Sequence, residues 1–127
     1  MSLFSHIMLG ADDIEASKAF YDATLGALGH KPGFADPKGR VFWMTSGGVF
    51  SISVPIDGNP ASCANGSTIG FAAKSPEEAD AWHAAGLAHG GTAIEDPPGW
   101  REGNGMKLYL AYLRDPSGNK ICAMHRG

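Results

Sequence analysis

The chain has 127 residues, 43% of them hydrophobic and 18% charged, with a formal net charge of −3 at pH 7. That is enough chain to bury one core unaided, and charges of both signs are scattered, so no basic stripe suits nucleic acid or an anionic membrane. No apolar run approaches the ~20 residues that span a bilayer, which excludes a helical membrane protein.

Residues 5–10 alternate, with Ile7 and Leu9 on one side and His6 and Met8 on the other, the pattern of a half-buried strand. Asp12 to Glu15 reads as a helix start, with Asp12 as N-cap and Glu15 completing a capping box. Ile14, Ser17, Phe20-Tyr21, Thr24-Leu25 and Leu28 recur at helical spacing until Gly26 or Gly29 ends the run. A short strand is expected within residues 30–34, and two longer ones at 40–46 and 49–54 are joined by Gly47-Gly48, a hairpin signal. Residues 55–66 are rich in turn formers and read as a linker.

A second strand-then-helix unit follows. The strand spans 67–73, and Ser75-Pro76-Glu77-Glu78 opens the helix with a capping box and proline at its first position. A short strand is expected at 92–95, then a hairpin of 107–114 and 120–124 around Asp115-Pro116-Ser117-Gly118-Asn119, a turn-forming sequence. Residues 96–106 have no counterpart in the first unit, and with Trp100 and Arg101 they read as a candidate lid or an ordinary long connection.

The two units are related. Shifted by 62 residues, 67–91 falls on 5–29 without a gap, and eight of the 25 aligned positions are identical, from Ser5/Ser67 to Gly29/Gly91. Shared strand and helix patterning explains apolar matching apolar but not identities in unbroken register. One domain therefore contains two tandem modules, about 3–56 and 67–125, separated by a linker at 57–66. The two cysteines, Cys63 and Cys122, make no disulfide framework, and the N-terminus lacks the layout of a signal peptide, so a reduced, cytoplasmic chain is the simplest reading.

Strand parity separates two faces. Ile7, Leu9, Ile69, Phe71, Ala73, Phe50, Ile52, Val54, Ile121 and Ala123 should face the helices. His6, Met8, Ser51, Ser53, Thr68, Gly70, Cys122 and Met124 form the opposite set, mostly small or polar, and suggest a cleft for a small molecule.

Taken together, the paired βαβββ modules, His6-Ile7 before Asp13-Ile14-Glu15, Phe20-Tyr21, Leu25-Gly26, residues 66–71 and the 115–121 turn resemble the vicinal-oxygen-chelate superfamily. That group includes glyoxalase I, bleomycin-resistance proteins and extradiol dioxygenases, and residues 103–119 resemble its bacterial glyoxalase-like members. The resemblance implies an α+β fold in which two βαβββ modules form a curved mixed sheet around a cleft, helices outside, and a homodimer. It also implies one divalent metal, with ligands on the first and last strands of each module. The matching positions are His6, Ser51, Thr68 and Cys122, and one imidazole among them is too little for an ion that needs three protein ligands.

His6 is thus the candidate polar anchor or catalytic base, since an imidazole titrates near neutral pH, but a hydrogen-bonded remnant fits as well. Cys122 reads as a buried thiol, or as half of a thiolate–imidazolium pair. Arg101 suits a carboxylate or phosphate and Trp100 a flat apolar wall, though a solvated arginine and a core-edge tryptophan fit equally. Tyr109 and Tyr112 lie on opposite faces of one strand, so one of them belongs to the cleft. With Ser51 and Thr68, these residues make the expected ligand-binding set. The expected function is binding of a small organic molecule without a resident metal. The alternative is a metal-dependent lyase or isomerase resembling lactoylglutathione lyase, with a dioxygenase further off.

Overall fold

A computed structural model describes residues 3–127. The first module runs β1 (His6–Gly10), α1 (Ile14–Ala27), β2 (Phe34–Ala35), β3 (Val41–Thr45) and β4 (Gly48–Ser53). The second runs β5 (Ile69–Ala72), α2 (Pro76–Ala88), β6 (Thr92–Ala93), β7 (Gly99–Gly103), β8 (Met106–Arg114) and β9 (Lys120–Arg126). Helix α2 begins 62 residues after α1, the same offset that relates the sequences (76 − 14 = 62). The fold is α+β, as expected.

Sheet topology repeats as well. The strand orders are β1-β4-β3-β2 and β5-β9-β8-β6, with first and last strands parallel in both modules. The expected curved sheet is present as two sheets, with β1 and β5 as edges among the described residues. The inner faces carry the apolar set, with Ile7 opposite Phe50, Leu9 opposite Ile52 and Ile69 opposite Ile121. Val54 is an exception, lying beyond β4 and 50% exposed.

Two local expectations need correction. Asp13, not Asp12, caps α1, its carboxylate accepting from the Ala16 amide at 3.0 Å. Asp12 instead accepts from the Ala61 amide at 2.6 Å, tying the linker to the start of the helix. Residues 96–106 are not a long open loop. Strand β7 pairs with β8 around Asn104-Gly105, whose φ values of 51° and 74° suit a two-residue hairpin turn.

One core serves both modules. Phe20 and Tyr21 of α1, Trp43 and Ile52 of the first sheet, Trp82 of α2, and Leu113 and Ile121 of the second sheet are all buried together. Phe50 meets Phe71 across the modules, with ring centroids 5.2 Å apart. At Gly86 a β-carbon would lie 3.2 Å from Phe20 and 3.3 Å from Thr24 of α1, so the absent side chain lets the helices approach. The helices and inner faces share this core, and the outer face of each sheet turns away from it.

Candidate functional site

The outer face of the first sheet carries His6, Met8, Val49, Ser51, Phe42, Met44 and Phe34, neighbours by strand register. Met8, Phe34 and Met44 are 41%, 54% and 61% exposed, an apolar surface left uncovered in one chain. At one end of it, Met8, Ser53, Val54 and Ile56 line a cavity of about 560 Å³ with Lys38 and Arg40. His6 is exposed, and its Nδ1 lies 2.8 Å from the Ser5 hydroxyl, which orients the ring. Ser51 is fully buried and donates to the Ile7 carbonyl at 2.9 Å, so it offers no free hydroxyl to a ligand.

On the second sheet, Tyr112 pairs with Cys122, which pairs with Gly70, placing all three on the outer face. Gly70 leaves room for the thiol, since a β-carbon there would sit 3.2 Å from Cys122 Sγ. Burial pushes the Cys122 thiol up to about 11, against the pull of Lys120, so it is protonated at neutral pH and is no ready nucleophile. The Lys120 ammonium pairs with Glu95 and sits 5.2 Å above the Tyr112 ring. Burial first, then the charges of Cys122 and Glu95, raise the Tyr112 phenol. No sequence pattern had singled out Lys120 and Glu95, which are 25 residues apart (120 − 95 = 25).

Not every expected residue joins these faces. Thr68 is exposed and precedes β5 rather than lying in it. Tyr109 faces inward and donates to Asp80 of α2 at 2.6 Å, the main reason its phenol is raised. Trp100 lies on the same side as Tyr109, with centroids 5.3 Å apart, whereas Arg101, its neighbour along β7, lies across from Leu108 on the outer face. The Arg101 guanidinium donates to the carbonyls of Gly99, Asp96 and Pro97, so it fastens its own connection instead of standing free. His83 is half-buried, and burial lowers its pKa. His125 is also half-buried, its ring nitrogen 3.2 Å from the Ala73 carbonyl.

The positions that would hold a divalent ion do not suit one. His6 and Ser51 stand on one sheet and Cys122 on the other. The hydroxyl of Ser51 is engaged, the thiol of Cys122 is held protonated, and Thr68 carries only an alcohol. Hard or borderline ions need carboxylate, imidazole or thiolate donors.

The family model for the Glyoxalase/Bleomycin resistance protein/Dioxygenase superfamily matches residues 3–123. The chain belongs to this superfamily. A solved glyoxalase/bleomycin resistance protein from Albidiferax ferrireducens T118 is 61% identical, with a TM-score of 0.95 over 98% of this chain and 100% of that one. More distant superfamily folds include a glyoxalase-related enzyme from Fulvimarina pelagi, at 20% identity and TM-score 0.72 over 98% and 88% of the two chains. Lactoylglutathione lyase from Agrobacterium tumefaciens shares the fold at 22% identity and TM-score 0.66, over 98% and 94%. No curated protein matches the chain.

Proposed function

We propose that this superfamily member binds a small organic molecule between the outer faces of its two kinds of sheet, without a resident divalent metal. The observation that carries this reading is the state of the ligand positions, where one exposed imidazole accompanies an engaged hydroxyl and a protonated thiol. The surface beside them is apolar and aromatic, with Phe34 and Phe42 rings 6.0 Å apart, and suits a flat organic ligand better than an ion.

A second copy is the natural partner. Within one chain the outer faces turn away from their shared core and meet only at a rim of Met44, Val49 and Gly70, so enclosing a ligand between them calls for another molecule. The unpaired edges β1 and β5 offer backbone hydrogen-bonding groups for that contact. In such a dimer His6 acts as a polar anchor for the ligand, and as a base if the ligand carries an acidic proton.

Metal analysis of the purified dimer tests the reading. Substoichiometric metal, with ligand affinity unchanged by a chelator, is the expected result. Stoichiometric Ni, Zn, Mn or Fe would move the chain to the alternative reading, a lyase or isomerase like the Agrobacterium tumefaciens neighbour.

A further inference from the structure

The larger cavity lies where the two sheets meet, its rim taking in Met44, Val49 and Gly70 of the outer faces beside inner-face residues. It measures about 780 Å³ and opens where the end of α1, the β3–β4 hairpin and β5 meet. Its apolar walls include Leu28, Trp43, Phe50 and Phe71. Lys31 and Lys74 stand exposed at it, with His30 half-buried beside them, and no carboxylate lines it among the described residues. Neither lysine side chain has an ion pair or hydrogen bond among the described residues, whereas Lys18, Arg40 and Lys120 all have carboxylate partners.

We infer that this cavity is a second ligand site, built for a carboxylate carried on an apolar body. Its volume falls within the range of small-molecule sites, about 300–1,000 Å³. The walls would take a hydrocarbon or aryl body out of water, and the unpaired ammonium groups would hold one negative head near the mouth. The carbonyl end of α1 lies at the same mouth and disfavours an anion locally, so the lysines set the sign. A symmetric contact with a second copy would bring the same lysine-bearing surface against itself, which argues for an occupant of opposite charge. None of the positions His6, Ser51, Thr68 and Cys122 lines it, so the inference does not rest on the reading above.

Calorimetric titration of the native oligomer with dodecanoate, below its micelle concentration, tests this. Dodecyltrimethylammonium, with the same tail and the opposite charge, is the comparison. Dodecanoate should bind at one site per chain and shift the methyl resonances of Leu28 and Ile69, and the ammonium compound should not. The double variant Lys31→Glu/Lys74→Glu, altered only at exposed positions, should weaken dodecanoate roughly tenfold, as two exposed charge contacts allow. His6→Ala should leave dodecanoate binding unchanged, which separates this site from the cleft. Equal binding of the two amphiphiles, or a double variant that binds like the parent, overturns the inference. So does absence of binding, and protection of Lys31 and Lys74 from acetylation in the oligomer would then assign the cavity to the second copy.

Discussion

The Tyr21 hydroxyl donates to Asp115 at 2.6 Å across 94 residues of chain, in the buried seam between the modules. The same carboxylate accepts from the Asn119 side chain at 2.9 Å and from the backbone amides of Ser117 and Asn119, and Asn119 donates on to the Gly10 carbonyl at 3.0 Å. The Asp-Pro-Ser-Gly-Asn turn therefore shapes its own hairpin and latches the second module onto the first. Tyr21→Phe removes the donor and leaves a buried carboxylate oxygen one partner short. Urea unfolding should register a loss of about 2 kcal/mol, as for other hydrogen bonds to charged groups. Unchanged stability would mean that the latch does not hold the modules together.

Alkaline pH should expose the same seam. Burial, then the charge and hydrogen bond of Asp115, raise the Tyr21 phenol well above 10.0, and burial raises the Cys122 thiol from 9.0 to about 11. A raised pKa means that the folded chain holds its proton more tightly. The resulting stability is complete below the unfolded value and is lost as pH rises toward the folded one. Stability should fall from pH 9.0 upward through Cys122 and more steeply above 10.0 through Tyr21. Unfolding curves of Cys122→Ala should lack the first component, and those of Tyr21→Phe should lose the main part of the second, to which the raised Tyr109 and Tyr112 phenols also contribute. An alkaline slope unaltered in both variants would show that neither group titrates as the fold dictates.

The two thiols should also separate chemically. Cys63 is exposed on the linker, whereas Cys122 is buried and held protonated. Thiolate is the reactive form, so iodoacetamide at about pH 8, below the usual thiol pKa, should label Cys63 in native protein and both cysteines after denaturation. Peptide mapping reads this directly. Native labelling of Cys122 at a comparable rate would mean that its outer face opens to solvent.

Much of this architecture was legible because it is written locally. Strand alternation, helix caps and the 62-residue repeat are short-range patterns, and the elements follow them closely. The N-cap is ambiguous by one residue in sequence because Asp12 and Asp13 are chemically equivalent caps, and only the linker contact at Ala61 decides between them. Strand β7 has no local signature, because a Trp-Arg-Glu stretch between glycines and prolines has weak strand character until β8 lies beside it. The candidate site was less legible than the fold. Parity put Ser51 and Cys122 on the right faces but could not reveal that Ser51 bonds the Ile7 carbonyl. Nor could it show that Arg101 turns back onto three carbonyls, or that Tyr109 reaches Asp80. Those depend on tertiary contacts that no local pattern encodes.

Two glycines of the duplicated helices test the packing between modules. Gly26 is exposed near the end of α1, with nothing within 4 Å of where a β-carbon would stand, and the equivalent residue of the second module is Ala88. Gly26→Ala should therefore raise stability by about 0.5–1 kcal/mol, through helix propensity and a less flexible unfolded chain. Gly86 receives the same propensity gain, but its β-carbon would lie 2.3 Å from Leu113 and 3.2 Å from Phe20, both in the core. Overpacking of that kind costs about 1–3 kcal/mol, so Gly86→Ala should be destabilising overall. Trimming the obstruction with Leu113→Val should recover part of the loss, a coupling that a double-mutant cycle in urea measures. If Gly86→Ala instead stabilises as Gly26→Ala does, α1, α2 and β8 are not packed as closely as the core requires.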